Sequence, residues 1–312
     1  MSQKSKSDKS LSNKGKINET VLKLLQSDPS QYHSGQELAR RLMVSRQWIW
    51  LQVKDLRRLG FKIEGSTAQG YRLKGFTDAL NPEQIRKQRR TRIVGKKIEF
   101  RPITGSTNTE AFALAKEGAR EGTCVLADAQ TAGRGRLGRT WVAPPGTSIL
   151  TSIILRPDIP PALAPMITLA AGIAVHRAIQ RVTDIDSHIK WPNDILINDR
   201  KVAGILTEMN AEADRVHFII LGIGVNVNLD LKDMPKEIIE TATSLKNEAR
   251  REISRNHFLV ALYEEVEGAY RRFLRQGPPS VVDEWQERSK IMGRAVNAIT
   301  ATGKKITGAA QG

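Results

Sequence analysis

The sequence predicts an α+β protein in which a small, basic, helical module precedes a larger domain with a mixed sheet packed on helices. Three observations lead there. Apolar residues recur at helical spacing in short segments up to about residue 60, strand-like runs alternate with longer amphipathic segments from Ile98 onward, and the charge balance differs between the two regions. Residues 1–92 carry 20 Lys and Arg against 8 Asp and Glu, whereas the rest carry 29 against 25, so most of the net charge of +16 sits in the first third. A basic module beside a nearly balanced body suggests nucleic-acid binding coupled to another task.

At 312 residues the chain is long enough for about two domains. Its single cysteine, Cys124, lies in an apolar run, so no internal disulfide can form and a reducing cytoplasm is the natural compartment. The start, "MSQKSKSDKSLSNKGK", is Lys/Ser-rich without an apolar core, and no segment offers 18 uninterrupted apolar residues; neither secretion nor a membrane span is expected.

Residues 1–14 read as a disordered basic tail. In "INETVLKLLQSD", Val21, Leu22, Leu24 and Leu25 share one helical stripe. "SGQELARRL" and "SRQWIWLQVKDLRRLG" follow, opened by Ser34 and Ser45 as candidate caps and separated by Met43-Val44, which reads as helix-turn-helix. "FKIEGSTAQGYRL" alternates about a Gly-bearing turn and reads as a β-hairpin wing. On the second helix Ile49, Val53, Leu56 and Leu59 face inward, leaving Ser45, Arg46, Gln47 and Trp50 exposed; with Gly35 and Lys54 these are the residues expected at DNA, with Arg57, Arg58 and the wing available for phosphates. The winged helix-turn-helix is expected over residues 15–76 and a linker with a short helix after Asn81-Pro82 over 77–92.

The sheet domain is expected over residues 93–290, with strands at Glu99–Ile103, Thr123–Gln130, Ser148–Leu155, Ile189–Trp191, Ile195–Ile197, Val202–Met209 and Val216–Gly224. Helices are expected at Asn108–Glu117, Ala164–Arg181, Arg255–Gln276 and Val281–Arg288. Residues 291–312 hold two further strand-like runs, Ala295–Ala301 and Lys305–Thr307, which read as the opening of a small β domain.

"GRGRLGRTW", Gly133 to Trp141, matches the letters of a dinucleotide fingerprint, but Pro144-Pro145-Gly146 and a second strand follow it where that fingerprint needs a helix. It is instead a loop between strands in which Arg134, Arg136 and Arg139 alternate with glycines, suited to an anion and expected to be poorly ordered when empty. Other short polar stretches fall at strand ends or in loops of the same domain, "GSTN", "KWPND", "RKVAGILTE" and "GIGVNVN", and they supply a lysine before a Trp-Pro-Asn-Asp turn and carboxylates at Asp194 and Glu208. The five histidines lie outside these stretches, no Cys/His spacing suits a metal, and Cys124 inside a strand is a poor nucleophile. What survives is chemistry in which fixed cations stabilise a phosphoryl or acyl-phosphate transition state.

Taken together, "GRGRxGRxW" and "KWPND" with the flanking stretches closely resemble the biotin protein ligases and, given the helix-turn-helix, the bifunctional ligase/biotin-operon repressors, over about residues 15 to 312. The resemblance implies a class II synthetase-like mixed sheet and an SH3-like carboxy-terminal β domain, of which residues 291–312 are the first strands. It implies condensation of biotin with ATP to biotinyl-5'-adenylate, transfer to a lysine of a biotin carboxyl carrier protein, and repression at operator DNA by a homodimer with the adenylate as corepressor. By resemblance Ser106, Thr107, Asn108, Gln130, Arg134, Gly135, Arg136 and Lys190 contact biotin, Lys190 and Arg136 being catalytic. Trp141, Asn193, Asp194, Lys201 and Asn226 line the nucleotide side, with Mg²⁺ accompanying ATP. A rival reading keeps a biotin-responsive DNA-binding regulator with little ligase activity, and a lipoyl-type ligase is disfavoured by the Arg-rich loop. Ser106 to Asn108 also suit a helix cap, and Gly222 and Gly224 close strand packing.

Overall fold

The computed structural model describes residues 20–28, 30–58, 61–74, 78–299 and 305–310. The expected tail, Leu59 at the end of the second helix, the 76/77 boundary and the turn at 300–304 lie outside them.

The amino-terminal module is built from α1 (residues 20–27), α2 (Gly35–Leu42), α3 (Arg46–Arg58) and a hairpin of β1 (Ile63–Ser66) and β2 (Gly70–Leu73) in antiparallel register. Val21, Leu22 and Leu25 of α1 and Ile49, Val53 and Leu56 of α3 close on Phe61, Ile63 and Leu73 of the wing, so the apolar stripes read from spacing form one core. Ser45 Oγ accepts from the Trp48 amide at 3.1 Å, as an N-cap should. Ser34 holds the N-cap position of α2 but its hydroxyl makes no cap bond. His33, beside it, exchanges backbone hydrogen bonds with Tyr71 of the wing at 2.8 and 2.9 Å, so a tertiary pairing fixes the approach to this helix.

α4 (Pro82–Gln88) starts where Asn81 caps the Gln84 amide at 3.0 Å. The larger domain holds a seven-stranded sheet in the order β3 (Ile98–Thr104), β4 (Cys124–Gln130), β5 (Ser148–Leu155), β9 (Val216–Asn226), β8 (Arg200–Ala211), β7 (Asp194–Ile197), β6 (His188–Lys190). β3 and β4 are parallel, joined over α5 (Thr107–Lys116), and every other pairing is antiparallel.

One face carries α6 (Ala164–Thr183) and α9 (Arg255–Gln276). The segment Pro161–Thr183, which contains α6, has the length and mean hydropathy, 1.5, of a membrane span, and most apolar residues of α6 are buried in the core against α9 and the sheet. The other face is covered in part by α5: Ala111 and Ala115 pack on Val125, Ile154, Phe218 and Ile220. On that face β9 reads Phe218, Ile220, Gly222, Gly224, Asn226, so the apolar side chains under α5 give way to bare backbone. That change opens the face for a cleft.

Two short helices absent from the sequence expectations, α7 (Lys236–Thr241) and α8 (Leu245–Ala249), follow β9. α10 (Pro279–Glu287) and a two-stranded antiparallel sheet of β10 (Ala295–Ile299) and β11 (Lys305–Ala309) end the described chain. The two modules touch where Gln26 of α1 reaches a wholly buried ion pair of the larger domain. Asp128 Oδ1 accepts from Arg255 Nη1 at 2.8 Å, and Asp128 Oδ2 accepts from Gln26 of α1 at 3.0 Å, while Arg255 also reaches Ser148 and Asp78.

Candidate functional site

The cleft on the open face of the sheet has a volume of about 320 Å³ and continues into a second, more apolar cavity of about 750 Å³ beneath the glycine loop. Its floor follows from register. Leu150, Gly224 and Gly204 form one row across three strands, and Ser152, Gly222 and Leu206 form the next. Both rows face the same side because side chains alternate with period two.

The glycines make room for specific groups. A Cβ on Gly222 would strike the Asn108 amide; one on Gly224 would fall 2.7 Å from the Trp141 indole, and one on Gly204 2.9 Å from the same ring. These positions therefore seat side chains of the site, which goes beyond close strand packing.

At one end of the floor stands the start of α5. Ser106 is its N-cap by position, yet its hydroxyl makes no cap bond, so it is left for another partner. Thr107 N and Oγ1 both donate to Gln130 Oε1, at 2.7 and 3.1 Å. Ser152 Oγ lies 2.6 Å from Asn108 Oδ1 and 2.8 Å from Thr107 Oγ1. Thr107, Asn108 and Ser152 are all buried. Ser152 was missed at the sequence level; its signal is a hydroxyl interrupting the apolar run "SILTSIIL".

The glycine loop arches over this floor. Backbone bonds from Trp141 to Gly133 at 2.9 Å and from Gly135 to Arg139 at 2.7 Å close it, around a 3₁₀ turn at Arg136–Gly138. Leu137 at its tip has φ +55° and is 89% exposed. Arg134 pairs with Glu208 at 2.9 Å, and Arg136 reaches Asn193 Oδ1 at 3.5 Å.

Opposite, Lys190 ends β6 and Trp191-Pro192, a cis peptide, leads to Asn193. Asn193 is held by its amide to Ile205 O at 2.8 Å. Lys190 is exposed and has no ion-pair or hydrogen-bond partner from its side chain among the described residues, so its ammonium is available to an anion. Lys201 pairs with Asp194 at 2.6 Å and sits 5.5 Å over the Trp141 ring. The Trp141 indole N–H is buried without a partner among the described residues.

Twelve of the thirteen expected ligand and nucleotide residues are thus brought to one place. Asn226 is the exception. It lies one strand period beyond Gly224, but residues 242–244 pack over that end of β9 and its amide donates to Thr243 O at 3.0 Å, so it is buried outside the cleft wall. Cys124 is wholly buried and its thiol is pushed up to about 12 by desolvation, which removes it as a nucleophile.

In the amino-terminal module Ser45, Arg46, Gln47, Trp50 and Lys54 share the exposed side of α3, with Lys54 Nζ 5.2 Å over the Trp50 ring. Trp48 turns inward and packs on the module core. Gly35 does not join that exposed set: it is buried, and a Cβ there would lie 3.3 Å from the Tyr71 ring, so its smallness serves wing packing. Arg57 donates to Ile63 O at 2.9 Å and braces the wing.

Fold and cleft together define a protein ligase joined to a helix-turn-helix module: residues 100–226 match the biotin/lipoate A/B protein ligase family, and residues 18–72 match an HTH domain. The bifunctional ligase/repressor BirA of Bacillus spizizenii is 38% identical over 287 residues, covering 92% of this chain and 88% of that protein. The biotin--[acetyl-CoA-carboxylase] ligase of Mycobacterium tuberculosis is 32% identical over 244 residues, covering 75% and 88%. Among solved structures, the biotin protein ligase from Aquifex aeolicus in complex with biotin and ATP superposes with a TM-score of 0.59 at 28% identity, covering 68% of this chain and 86% of that one. The chain belongs to the family of bifunctional ligase/repressors of the BirA type.

Proposed function

We propose that this chain activates biotin with ATP, passes the biotinyl group to a lysine of a biotin carboxyl carrier protein, and represses transcription when it holds the adenylate. The observation that carries the enzymatic reading is the convergence of Lys190 and the loop arginines, from opposite walls, over a glycine floor. In the first step a carboxylate oxygen of biotin attacks the α-phosphorus of ATP and pyrophosphate leaves. In the second, the acceptor amine attacks the acyl carbon and AMP leaves. Both reactants of the first step are anions, so the site needs cations fixed in advance. Lys190 supplies a compact charge where the two meet, and Arg136 supplies paired donors for the phosphate.

Ser106, Thr107, Asn108, Gln130, Arg134 and Gly135 surround the biotin end, and the Trp141 ring, with Asn193, Asp194 and Lys201, the nucleotide end. Among the described residues no cluster of three or more His, Cys, Asp or Glu could hold a metal by itself. Mg²⁺ would accompany the nucleotide phosphates and neutralise part of their charge, and Asp194, in the cleft wall, would help hold it. The exposed side of α3 meets operator DNA, and an adenylate-bound homodimer presents two such helices to a two-fold site.

Mass detection of biotinyl-5'-adenylate from biotin and ATP tests the reading. Lys190→Ala and Arg136→Ala are expected to lose about 100-fold or more in rate, the scale for removing one fixed electrostatic contact from a transition state. Normal synthesis in either variant would overturn the assignment.

A further inference from the structure

Glu208 is a carboxylate at the cleft that no step above uses. It lies on β8, one strand period beyond Leu206 on the site-facing side, so the rigid sheet fixes where it stands. Its Oε2 accepts from Asn108 Nδ2 at 2.7 Å and from Arg134 Nη2 at 2.9 Å.

We propose that Glu208 is a positioning residue that ties the cationic loop to the ligand-reading amide of Asn108, so that one carboxylate sets both. The inference rests on the cleft being the biotin-activating site.

Its action on Asn108 follows from hydrogen-bond polarity. An ionised carboxylate only accepts, so the NH₂ end of the Asn108 amide must face Glu208. The oxygen end is then presented to Ser152 Oγ at 2.6 Å, and the NH₂ also reaches Leu206 O at 3.3 Å. Asn108 is buried against bare Gly222, so the amide is held in one orientation with its donors and acceptor in known places. Leu206 O, which also only accepts, holds the same NH₂ more weakly, so a neutral Gln at 208 would loosen that direction rather than reverse it.

The action on the loop follows from charge. Three arginines lie within six residues, and Glu208 is the one carboxylate that meets any of them among the described residues. It therefore selects Arg134 as the cation drawn to the floor. The contact engages Nη2 alone, and the guanidinium keeps its other N–H donors for the carboxylate or phosphate of a ligand. Glu208 aims Arg134 without using it up.

The test compares Glu208→Gln, Glu208→Ala, Arg134→Ala and the double variant with the parent chain, all with matched melting curves. Steady-state adenylate synthesis should show KM for biotin raised about tenfold in Glu208→Ala, the worth of one charge-assisted hydrogen bond, less in Glu208→Gln, with kcat held within about threefold. The double variant should fall short of the product of the two single effects, because the Arg134 arm is lost only once, and the loss that Glu208→Ala still causes in the Arg134→Ala background measures the Asn108 arm; independent residues would multiply in full. In the ligand-free protein, trypsin should cut after Arg134, Arg136 or Arg139 several-fold faster once Glu208 is replaced. Unchanged KM and unchanged cleavage, or fully multiplicative single effects, would overturn the proposal. A parent chain that formed no adenylate would instead overturn the functional reading, and the trypsin rates would still decide whether Glu208 holds the loop.

Discussion

Gly222 and Gly224 face the same side of β9 one strand period apart, about 7 Å, and they support different halves of the cleft. A Cβ at Gly224 would lie 2.7, 2.8 and 3.1 Å from Cε2, Cζ2 and Nε1 of Trp141, all atoms of one rigid ring, so the indole has to move. A Cβ at Gly222 would strike the Asn108 amide instead. Forcing a methyl into a packed site costs about 1–3 kcal/mol. If that cost falls on the ligand pocket, it corresponds to roughly 5-fold to 150-fold in affinity. Gly224→Ala is therefore expected to weaken ATP by that range and leave biotin within about twofold, and Gly222→Ala to do the reverse. Isothermal titration of each ligand into each variant measures the four values. Equal weakening of both ligands by both variants, or unchanged ATP affinity in Gly224→Ala, would refute the assignment of the two glycines to separate subsites.

Replacing Asp128 by Asn leaves the buried Arg255 with Asp78, 3.4 Å from its Nε, as its remaining counter-charge; urea unfolding should show a loss of about 3 kcal/mol, the low end for breaking a buried pair, and a loss below about 1 kcal/mol would show the pair to be structurally idle. His176, buried between Ser187 Oγ at 3.0 Å and Arg288 Nη1 at 2.9 Å, is held below its ordinary value first by desolvation and then by the Arg288 charge. It is neutral in both states above about pH 6.5, and below that the unfolded chain takes up the proton first. Stability should fall as pH drops from that point towards the folded value, and His176→Gln should flatten the profile; an unchanged slope would remove His176 as its source. For DNA, Arg46→Ala should cost about 1–3 kcal/mol and relax selectivity at one base position, while Lys54→Ala should weaken all sequences alike and lower the salt slope by about one. Gel shifts at several salt concentrations distinguish these outcomes, provided adenylate synthesis stays normal.

Much of this was legible in the chain. The span Arg255–Gln276 was read from its apolar stripe and is the span observed for α9; Ala164–Arg181 fell only two residues short of the end of α6. Periodicity, proline and glycine act over a few residues, so a linear reading captures them. The same locality rejected a dinucleotide loop at Gly133–Trp141, since the prolines after it forbid a helix. Strand partners were not legible: β9 lies between β5 and β8, and nothing near Gly224 names Leu150 and Gly204 as its neighbours. Asn226 was placed in the site because its motif is there, and it is covered by residues 242–244, a segment whose packing no local pattern announces. Gly35 and Ser34 were read as contact and cap, and both are ruled by the pairing of the wing with the residues before α2.

By itself, the sequence determined most of the element types, the basic module in front of a balanced domain, and the cationic, glycine-rich character of the loop. These depend on composition and short spacings. The tertiary structure alone decided that Glu208 meets both Asn108 and Arg134, that three glycines form a floor sized for Trp141 and Asn108, and that Gln26 reaches Asp128 across the two modules. Each of these joins residues distant in the chain, and such contacts exist only once the order and register of the strands have been chosen by burying both faces of the sheet at once.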